Sequence, residues 1–203
     1  IDGQAHPTEL VDDVGADLPL VHELPEYRLR VGAAGRAQLA VRIGPPRTEQ
    51  EFGSWRQAQL RETYAFGDVE PLDAVFLESF FGRNATCNTR AIDAEIARRR
   101  PDLPRYWGVQ DLSIEVPAGA VPLVRGTTEW WRVRNSARWV VTNEWLRGGF
   151  AKQPFQTVMQ TWHGSMYKQI GLDRGAKGKS HLITVQDELS KWDMFLSQAA
   201  ETT

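Results

Sequence analysis

The chain is poor in the residues and motifs on which several common classes of protein depend. Its 203 residues include one cysteine, Cys87, which excludes an internal disulfide and a cysteine-based metal cluster. No apolar run reaches the roughly 18 residues of a membrane-spanning helix. The formal net charge of -2 provides no overall field that would attract nucleic acid. Neither a P-loop nor a G-x-G-x-x-G sequence is present, so the common nucleotide-binding loops are missing.

The remaining composition is that of a folded domain, with 41% hydrophobic and 25% charged residues. A length of 203 residues suits one domain, or one domain with part of another. The sequence starts at Ile1 rather than at methionine, and its last letters, QAAETT, look like the start of another element. We therefore expect a piece of a longer polypeptide that carries only part of its function.

Residues 1–46 follow a β-strand pattern that the rest of the chain does not share. The stretches YRLRVG and QLAVRI alternate polar and apolar residues on either side of a glycine-containing turn. This pattern predicts an antiparallel hairpin. We interpret residues 1–46 as the tail of an appended β-rich module.

Residues 47–70 are predicted to connect this module to the rest of the chain. A helix is expected over residues 48–65, because Thr48 is a favourable cap and Glu51 completes a capping box. We interpret this segment as a connecting helix.

Residues 71–203 alternate short apolar stretches with helical patterns. Strands are expected at DAVFLES, YWGV, VPLV, WVVTN, TVMQTW and DMFLS, and helices at 88–100, 127–137 and 180–191. Thr127 or Thr128 is the expected cap of the second of these helices. This alternation predicts βαβ units around a Rossmann-like parallel sheet, which is an α/β fold. Pro122 cannot donate a ladder hydrogen bond, so it places the VPLV strand at a sheet edge or marks a strand start.

The polar residues that follow these strands are candidate site residues, because parallel sheets bind ligands beyond the carboxyl ends of their strands. They come from separate stretches of the chain and converge on one edge: Glu78, Ser79, Gly82, Asn88, Arg90, Gln110, Asp111, Thr142, Asn143, Glu144, His163, Gly164, Ser165 and Lys168.

The segment QTWHGSMYK contains the residues with the clearest chemical roles. A neutral imidazole at His163 can accept a proton from an attacking hydroxyl. Gly164 lets the backbone approach a ligand, and Ser165 can cap a following helix whose free N–H groups favour phosphate. Lys168 adds a positive charge at the same end. The pattern fits a site that holds an anion and deprotonates an alcohol. It equally fits a hydrogen-bonded histidine beside a solvated lysine.

Other candidates also have two interpretations. Asn88 and Arg90 begin a predicted helix, where they either meet a phosphate or serve as a helix cap and a solvated arginine. Asn143 follows a strand, and the commoner role of asparagine there is in a turn or a cap.

Four stretches, in order and spacing, resemble motifs of the CDP-glycerol:poly(glycerophosphate) glycerophosphotransferase family, the teichoic-acid polymerases and primases of Gram-positive bacteria. QTWHGSMYKQIGLD resembles QTWHGTPLKxxGxD, and AVFLESFFGRNATCNTRAI resembles FESFxGxxYSDNPRAI. VPAGAVPLVRGTTEWWRVRNSARWVVTN is similar to the family's strand, helix and strand before an asparagine. KWDMFLSQAAETT is similar to WDYLLSPNPYST. The similarity covers about residues 65–203.

The resemblance implies the amino-terminal, acceptor-side half of a GT-B-like enzyme with two Rossmann-like domains. Such an enzyme transfers glycerol phosphate, or ribitol phosphate, from a CDP-alcohol to the hydroxyl end of a growing polymer, and it needs no further cofactor. The acceptor is attached to a prenyl diphosphate lipid, so the full-length protein is expected to be cytoplasmic and to contact the inner face of the membrane peripherally. Without the donor-binding half, this chain alone is not expected to turn over.

The resemblance also assigns residues. His163 matches the family's expected base. The other matching positions are Asn88 and Arg90 in the DNPR loop, Asn143 after the fourth strand, and Lys168 and Asp173 after the base.

The chain departs from the family pattern at two places. Ser165, Met166 and Tyr167 replace Thr-Pro-Leu, and Cys87 and Thr89 replace the aspartate and proline of DNPR. These changes keep the base and leave the polyol and the acceptor open. A nucleotide-sugar glycosyltransferase of the same architecture and a non-catalytic polymer-binding domain are the alternative hypotheses.

Overall fold

A computed structural model describes residues 18–33, 38–163 and 179–196. Its first element is an antiparallel sheet of β1 (Leu20–Glu23), β2 (Arg28–Ala33) and β3 (Leu39–Gly44). The hairpin predicted from the alternating stretches is the pair of β2 and β3, and β1 adds a third strand to it.

The connection to the main sheet is helical, but it is not one continuous helix. A 3₁₀ turn at Glu49–Glu51 is followed by α1 (Ser54–Arg61) and a π-helical turn at Glu62–Phe66. The continuous helix predicted over 48–65 is therefore wrong. Gly53 interrupts it at φ 93° and ψ 155°, a conformation that residues with a side chain avoid, so the chain leaves the helical path before α1 begins.

The predicted capping box fixes the start of this connection. The Thr48 N–H group donates to the Glu51 carboxylate at 3.0 Å. The same carboxylate accepts from the Thr128 N–H group at 2.7 Å, which joins the connection to the main domain. Arg28 of β2 forms an ion pair with Glu49 at 2.9 Å and so joins the small sheet to the same segment.

Within the described residues, the main sheet has six parallel strands. In chain order they are β4 (Leu72–Glu78), β5 (Arg105–Val109), β6 (Val121–Val124), β7 (Ala137–Thr142), β8 (Thr157–Gln160) and β9 (Met194–Phe195). Their spatial order is β6-β5-β4-β7-β8-β9, so the order reverses between β4 and β7, as in Rossmann-like folds. The predicted α/β class is confirmed, and the strand that contains Pro122 lies at an edge as predicted.

The described part of the main domain contains three α-helices, which are α2 (Cys87–Arg99), α3 (Thr128–Ser136) and α4 (Lys179–Leu189). The predicted cap of α3 is present, since the Thr127 hydroxyl accepts from the Trp130 N–H group at 3.2 Å. No helix among the described residues has the length and apolar character that crossing a bilayer requires.

Alternate residues of β4 point to two apolar clusters, one on each face of the sheet. The cluster on the α3 side contains Phe76, Val140 and Val158 with Trp130, Trp131 and Val133. The cluster on the α2 side contains Val75, Leu77, Val109 and Val141 with Ile92 and Ile96. Burying one such side chain contributes about 1.5–3 kcal/mol. The two apolar clusters therefore stabilise the centre of the sheet, from which the loops of the candidate site begin.

Candidate functional site

The crevice between the carboxyl ends of β4 and β7 lies where the strand order reverses, which is where ligands of such sheets bind. Three chain segments reach this edge: residues 79–84 after β4, residues 143–147 after β7, and residues 161–163 after β8. Hydrogen bonds between side chains and backbone groups join these segments across the crevice.

Asn143 joins the three segments. Its side chain is completely buried, and its Oδ1 accepts from the Phe80 N–H group at 2.8 Å. Its backbone carbonyl oxygen lies 2.6 Å from Nδ1 of His163. Its Nδ2 has no hydrogen-bond partner among the described residues. One residue therefore holds both the turn after β4 and the ring of His163.

The contact with Asn143 sets the tautomer of His163. A carbonyl oxygen only accepts, so Nδ1 carries the proton and the neutral ring presents an unprotonated Nε2. The ring lies edge-on to Phe80, with centroids 5.1 Å apart, and stacks on Trp162 at 5.5 Å. The side chain is 31% exposed, so a ligand can reach it. An unprotonated imidazole nitrogen is the group that a general base needs, and the role of His163 as a base stays a prediction.

Glu144 is the carboxylate nearest to the free ring nitrogen among the described residues. Its Oε1 lies 3.9 Å from Nε2 of His163, and its side chain is 20% exposed. Burial raises the pKa of Glu144, while the positive charges of His163, Arg147 and Arg83 oppose that rise. The carboxylate is placed to stabilise an imidazolium at His163 after proton transfer.

The segment that carries His163 has an unusual backbone conformation. Trp162 has φ 55°, which costs a residue with a side chain on the order of 1 kcal/mol. Gln160 compensates in part, because its Oε1 accepts from the Trp162 N–H group at 3.0 Å. Asn88 donates from its amide to the Thr161 carbonyl at 3.2 Å. Asn88, a predicted site residue, therefore positions the segment that ends in His163.

Three other predicted candidates lie in or beside the turn after β4. Ser79 is buried, and its hydroxyl donates to the Asn84 carbonyl at 3.0 Å. Gly82 has φ 77° and donates to the Ser79 carbonyl at 2.9 Å. Arg90 is exposed and donates to the Ala85 carbonyl at 3.1 Å. These contacts are with the backbone, and the ligand-binding roles of the three residues stay predictions.

Four further predicted candidates, Gly164, Ser165, Lys168 and Asp173, lie outside the described residues. Their assignment to phosphate and substrate binding stays a prediction.

Sequence reasoning did not select Phe80 or assign a role to Glu144. Both Phe80 and Phe81 adopt positive φ, 49° and 55°, and the sequence SFFGR does not predict this conformation. Glu144 was among the candidates because it directly follows Asn143 at the end of a predicted strand, but its position beside His163 depends on the fold.

We expect Gly82→Ala to destabilise the protein by about 1–3 kcal/mol, because the residue has positive φ and little space. A Cβ atom there would lie 2.8 Å from Cδ of Arg125 and 3.1 Å from the Gln110 nitrogen. Urea unfolding measures the effect. Gly44→Ala is the matched control, since a Cβ there would meet nothing within 4 Å. Equal stability of the two variants would contradict the prediction.

Comparison with known proteins agrees with this architecture. A model of the CDP-Glycerol:Poly(glycerophosphate) glycerophosphotransferase family matches residues 65–203, which is more than half of the chain. The teichoic acid poly(glycerol phosphate) polymerase of Bacillus subtilis (strain 168) is 28% identical over 137 residues, 64% of this chain and 18% of that protein. The teichoic acid glycerol-phosphate transferase of Staphylococcus aureus (strain NCTC 8325 / PS 47) is 28% identical over 135 residues, 61% of this chain and 33% of that protein. The chain thus spans a third or less of the length of these two relatives.

Solved structures of the wall teichoic acid polymerase TagF share the fold. The match has a TM-score of 0.63 and 24% sequence identity, and it covers 72% of this chain and 38% of that chain. A TagF variant soaked with CDPG gives the same values.

Proposed function

This chain belongs to the CDP-Glycerol:Poly(glycerophosphate) glycerophosphotransferase family, and from that premise we propose that it supplies the acceptor-side half of a CDP-polyol phosphotransferase. The enzyme transfers glycerol phosphate, or ribitol phosphate, to the hydroxyl end of a teichoic-acid-like polymer. The observation that carries the proposal is the ring of His163, which Asn143 holds at Nδ1 while the unprotonated Nε2 lies 3.9 Å from Oε1 of Glu144.

The geometry supports a direct displacement. Nε2 of His163 accepts the proton of the acceptor hydroxyl as the hydroxyl oxygen attacks the β-phosphorus of the CDP-alcohol. The bond from that phosphorus to the bridging oxygen breaks, and CMP leaves with the oxygen and its electron pair. The new imidazolium keeps its Nδ1–H on the Asn143 carbonyl and faces the Glu144 carboxylate at 3.9 Å.

We expect Glu144→Gln to lower kcat about tenfold or more. Two opposite charges 4 Å apart attract by about 1 kcal/mol in bulk water and about 4 kcal/mol near a protein surface, and the variant loses this attraction to the imidazolium. Steady-state rates of CMP release in the full-length protein measure the effect. An unchanged kcat would exclude a role for this carboxylate.

The same variant should be more stable than the unchanged protein at neutral pH. Because burial raises the pKa of Glu144, its contribution to stability is greatest below the unfolded pKa and is lost as pH rises through the folded value. Glutamine does not ionise, so the advantage of the variant should disappear in acid. Thermal unfolding at pH 4 and pH 7 tests the sign, and lower stability at pH 7 would contradict it.

The acceptor is proposed to be linked to a prenyl diphosphate lipid, with the full-length protein at the inner face of the membrane. This part of the proposal depends on the family rather than on a basic surface of this chain. The run of arginines at 98–100 is paired with acidic groups, since Glu95 contacts Arg98 and Arg99, and Asp102 contacts Arg100.

The test is an assay of the full-length protein with CDP-glycerol and a lipid-diphosphate acceptor analogue. We expect CMP to appear only when the acceptor is present, and CDP-ribitol in a parallel reaction identifies the polyol. A nucleotide sugar that yields nucleoside diphosphate, with no CMP from either CDP-alcohol, would favour the glycosyltransferase alternative. No turnover with any donor would favour a polymer-binding domain.

A further inference from the structure

A polar cavity lies beside α3, and four arginines line it. It has a volume of about 260 Å³, and we call it the arginine pocket after Arg47, Arg125, Arg134 and Arg147. Arg125 follows β6 and Arg147 lies in the loop after β7. The pocket is therefore on the same edge of the sheet as His163 but is a separate cavity.

One of the four arginines of the pocket forms a direct ion pair within the described part of the chain, Arg125 with Glu78 at 2.8 Å. Among the described residues, Arg47, Arg134 and Arg147 have no carboxylate within ion-pairing distance, and no acidic side chain lines the pocket. The nearest negative charges act from outside the cavity, Glu51 on Arg47 and Glu78 and Glu188 on Arg134. Three guanidinium groups thus share a small cavity without a directly paired carboxylate from these residues.

The pKa values of two arginines in the pocket, Arg134 and Arg47, are lowered. Burial lowers the pKa of Arg134 to about 10, although Glu78 attracts the charge. Burial also lowers the pKa of Arg47, while the charge of Glu51 opposes that decrease and the charge of Arg125 adds to it. Desolvated cations that repel one another are stabilised when an anion binds between them.

Arg134 is held rigidly in the wall of the pocket. It donates to the carbonyls of Gly149 at 2.7 Å and Leu146 at 2.9 Å, while its Nε has no partner among the described residues. Gly126 lets Arg47 approach, because a Cβ atom there would lie 2.9 Å from Cζ of Arg47. The pocket is preorganised, so little ordering is needed when an anion enters.

The turn of Phe80 and Phe81 lies between the arginine pocket and the proposed base. The guanidinium carbon of Arg147 is 5.0 Å from the centroid of the Phe81 ring. On the other side of the turn, the Phe80 ring centroid is 5.1 Å from that of His163. The two sites are therefore neighbours, and each contacts one of two adjacent aromatic residues.

We propose that the arginine pocket binds a phosphodiester group of the acceptor polymer while the terminal hydroxyl of that polymer lies at His163. The inference rests on the proposed function, in which this chain supplies the acceptor-side half and the acceptor has phosphodiester groups along its chain. Arginine pairs with phosphate oxygens through two parallel hydrogen bonds.

The test compares Arg147→Gln and Arg47→Gln with a matched control, Arg98→Gln. Arg147 has an exposed side chain, and Arg47 is half-buried, so both variants are expected to fold. Arg98 is exposed on α2 and pairs with Glu95 outside the pocket, so its replacement changes the net charge equally. Calorimetry at low salt measures binding to the full-length protein of three probes: a lipid-free oligo(glycerol phosphate), inorganic phosphate and CDP-glycerol.

We expect each pocket variant to bind the oligomer about tenfold more weakly, and the double variant more weakly still. Inorganic phosphate binding should weaken in parallel, whereas CDP-glycerol binding and the Arg98→Gln control should not change. If the pocket variants instead weaken CDP-glycerol binding, the pocket holds the donor and the inference is overturned. Unchanged oligomer binding overturns it as well. Oligomer binding through these arginines in a protein that releases no CMP would refute the proposed function and leave the phosphate site standing.

Discussion

Replacing His163 with alanine is expected to lower the rate of acceptor-dependent CMP release by about two to four orders of magnitude. Nε2 of this ring is the nitrogen left free when Asn143 holds Nδ1, so the variant loses the group that accepts the hydroxyl proton. The rate should be measured in the full-length protein at saturating CDP-glycerol, so that weaker donor binding does not contribute.

The stability of the same variant distinguishes a base from a packing residue. The His163 side chain is 31% exposed and contacts the rings of Phe80 and Trp162. Its removal should cost no more than about 1–2 kcal/mol of unfolding free energy. His163→Gln retains a polar side chain without a basic nitrogen, so it should be as inactive as alanine. A rate loss that only follows the loss of folded protein would show that the ring serves packing.

Most of the fold could be predicted because it depends on local patterns. Strand and helix periodicities alternate through residues 71–203, and the structure has six parallel strands there. Pro122 indicated an edge strand and Thr127 a helix cap, and both predictions are confirmed. Each of these features depends on a property of one or a few neighbouring residues.

The prediction of one continuous helix over 48–65 is wrong because of a single residue, Gly53. The polar and apolar pattern continues through Phe52 and Gly53, but a single glycine at positive φ is enough to end one turn and begin α1. A glycine inside a helical pattern is commonly tolerated. The contact of Glu51 with Thr128 also holds this turn in place, and a contact with a residue so far along the chain is not visible in a local pattern.

The position of His163 at the sheet edge could be predicted, but the contacts that hold its ring could not. His163 follows a strand, and the sequence alone places it at the sheet edge. Its partner Asn143 contributes a backbone carbonyl, and a backbone contact leaves no mark in the residue type. The arginine pocket was missed because Arg47 and Arg147 are 100 positions apart in the numbering, and single arginines in a sequence usually indicate solvated residues.

Asp93→Ala is the substitution for which we expect the largest loss of stability, about 3–5 kcal/mol. Asp93 of α2 is completely buried, and its Oδ2 pairs with Nη1 of Arg105 at 2.7 Å. Arg105 is also buried and has one further acceptor, the Ala118 carbonyl at 3.0 Å. Removal of the carboxylate leaves a buried guanidinium charge without a counter-ion, which is the costly outcome.

Two further variants separate the buried charge from a loss of packing. Asp93→Ala combined with Arg105→Met should recover part of the stability, because the second change removes the unpaired charge. Glu95→Ala on the same helix is the control, since its carboxylate pairs with exposed arginines, and exposed pairs contribute little. Equilibrium urea unfolding, followed by tryptophan fluorescence, gives the free energies. A double variant no more stable than Asp93→Ala alone would contradict the explanation.

This buried pair also connects stability to the site. Asp93 and Asn88 are on the same helix, and Asn88 holds the segment before His163 through the Thr161 carbonyl. Loss of the Asp93–Arg105 pair loosens the attachment of α2 to β5, so Asn88 loses its fixed position relative to β8. We therefore expect the Asp93→Ala variant to lose CMP release at a lower temperature than it loses its overall fold. The unchanged protein should lose both together, and a variant that does the same would show that α2 does not position His163.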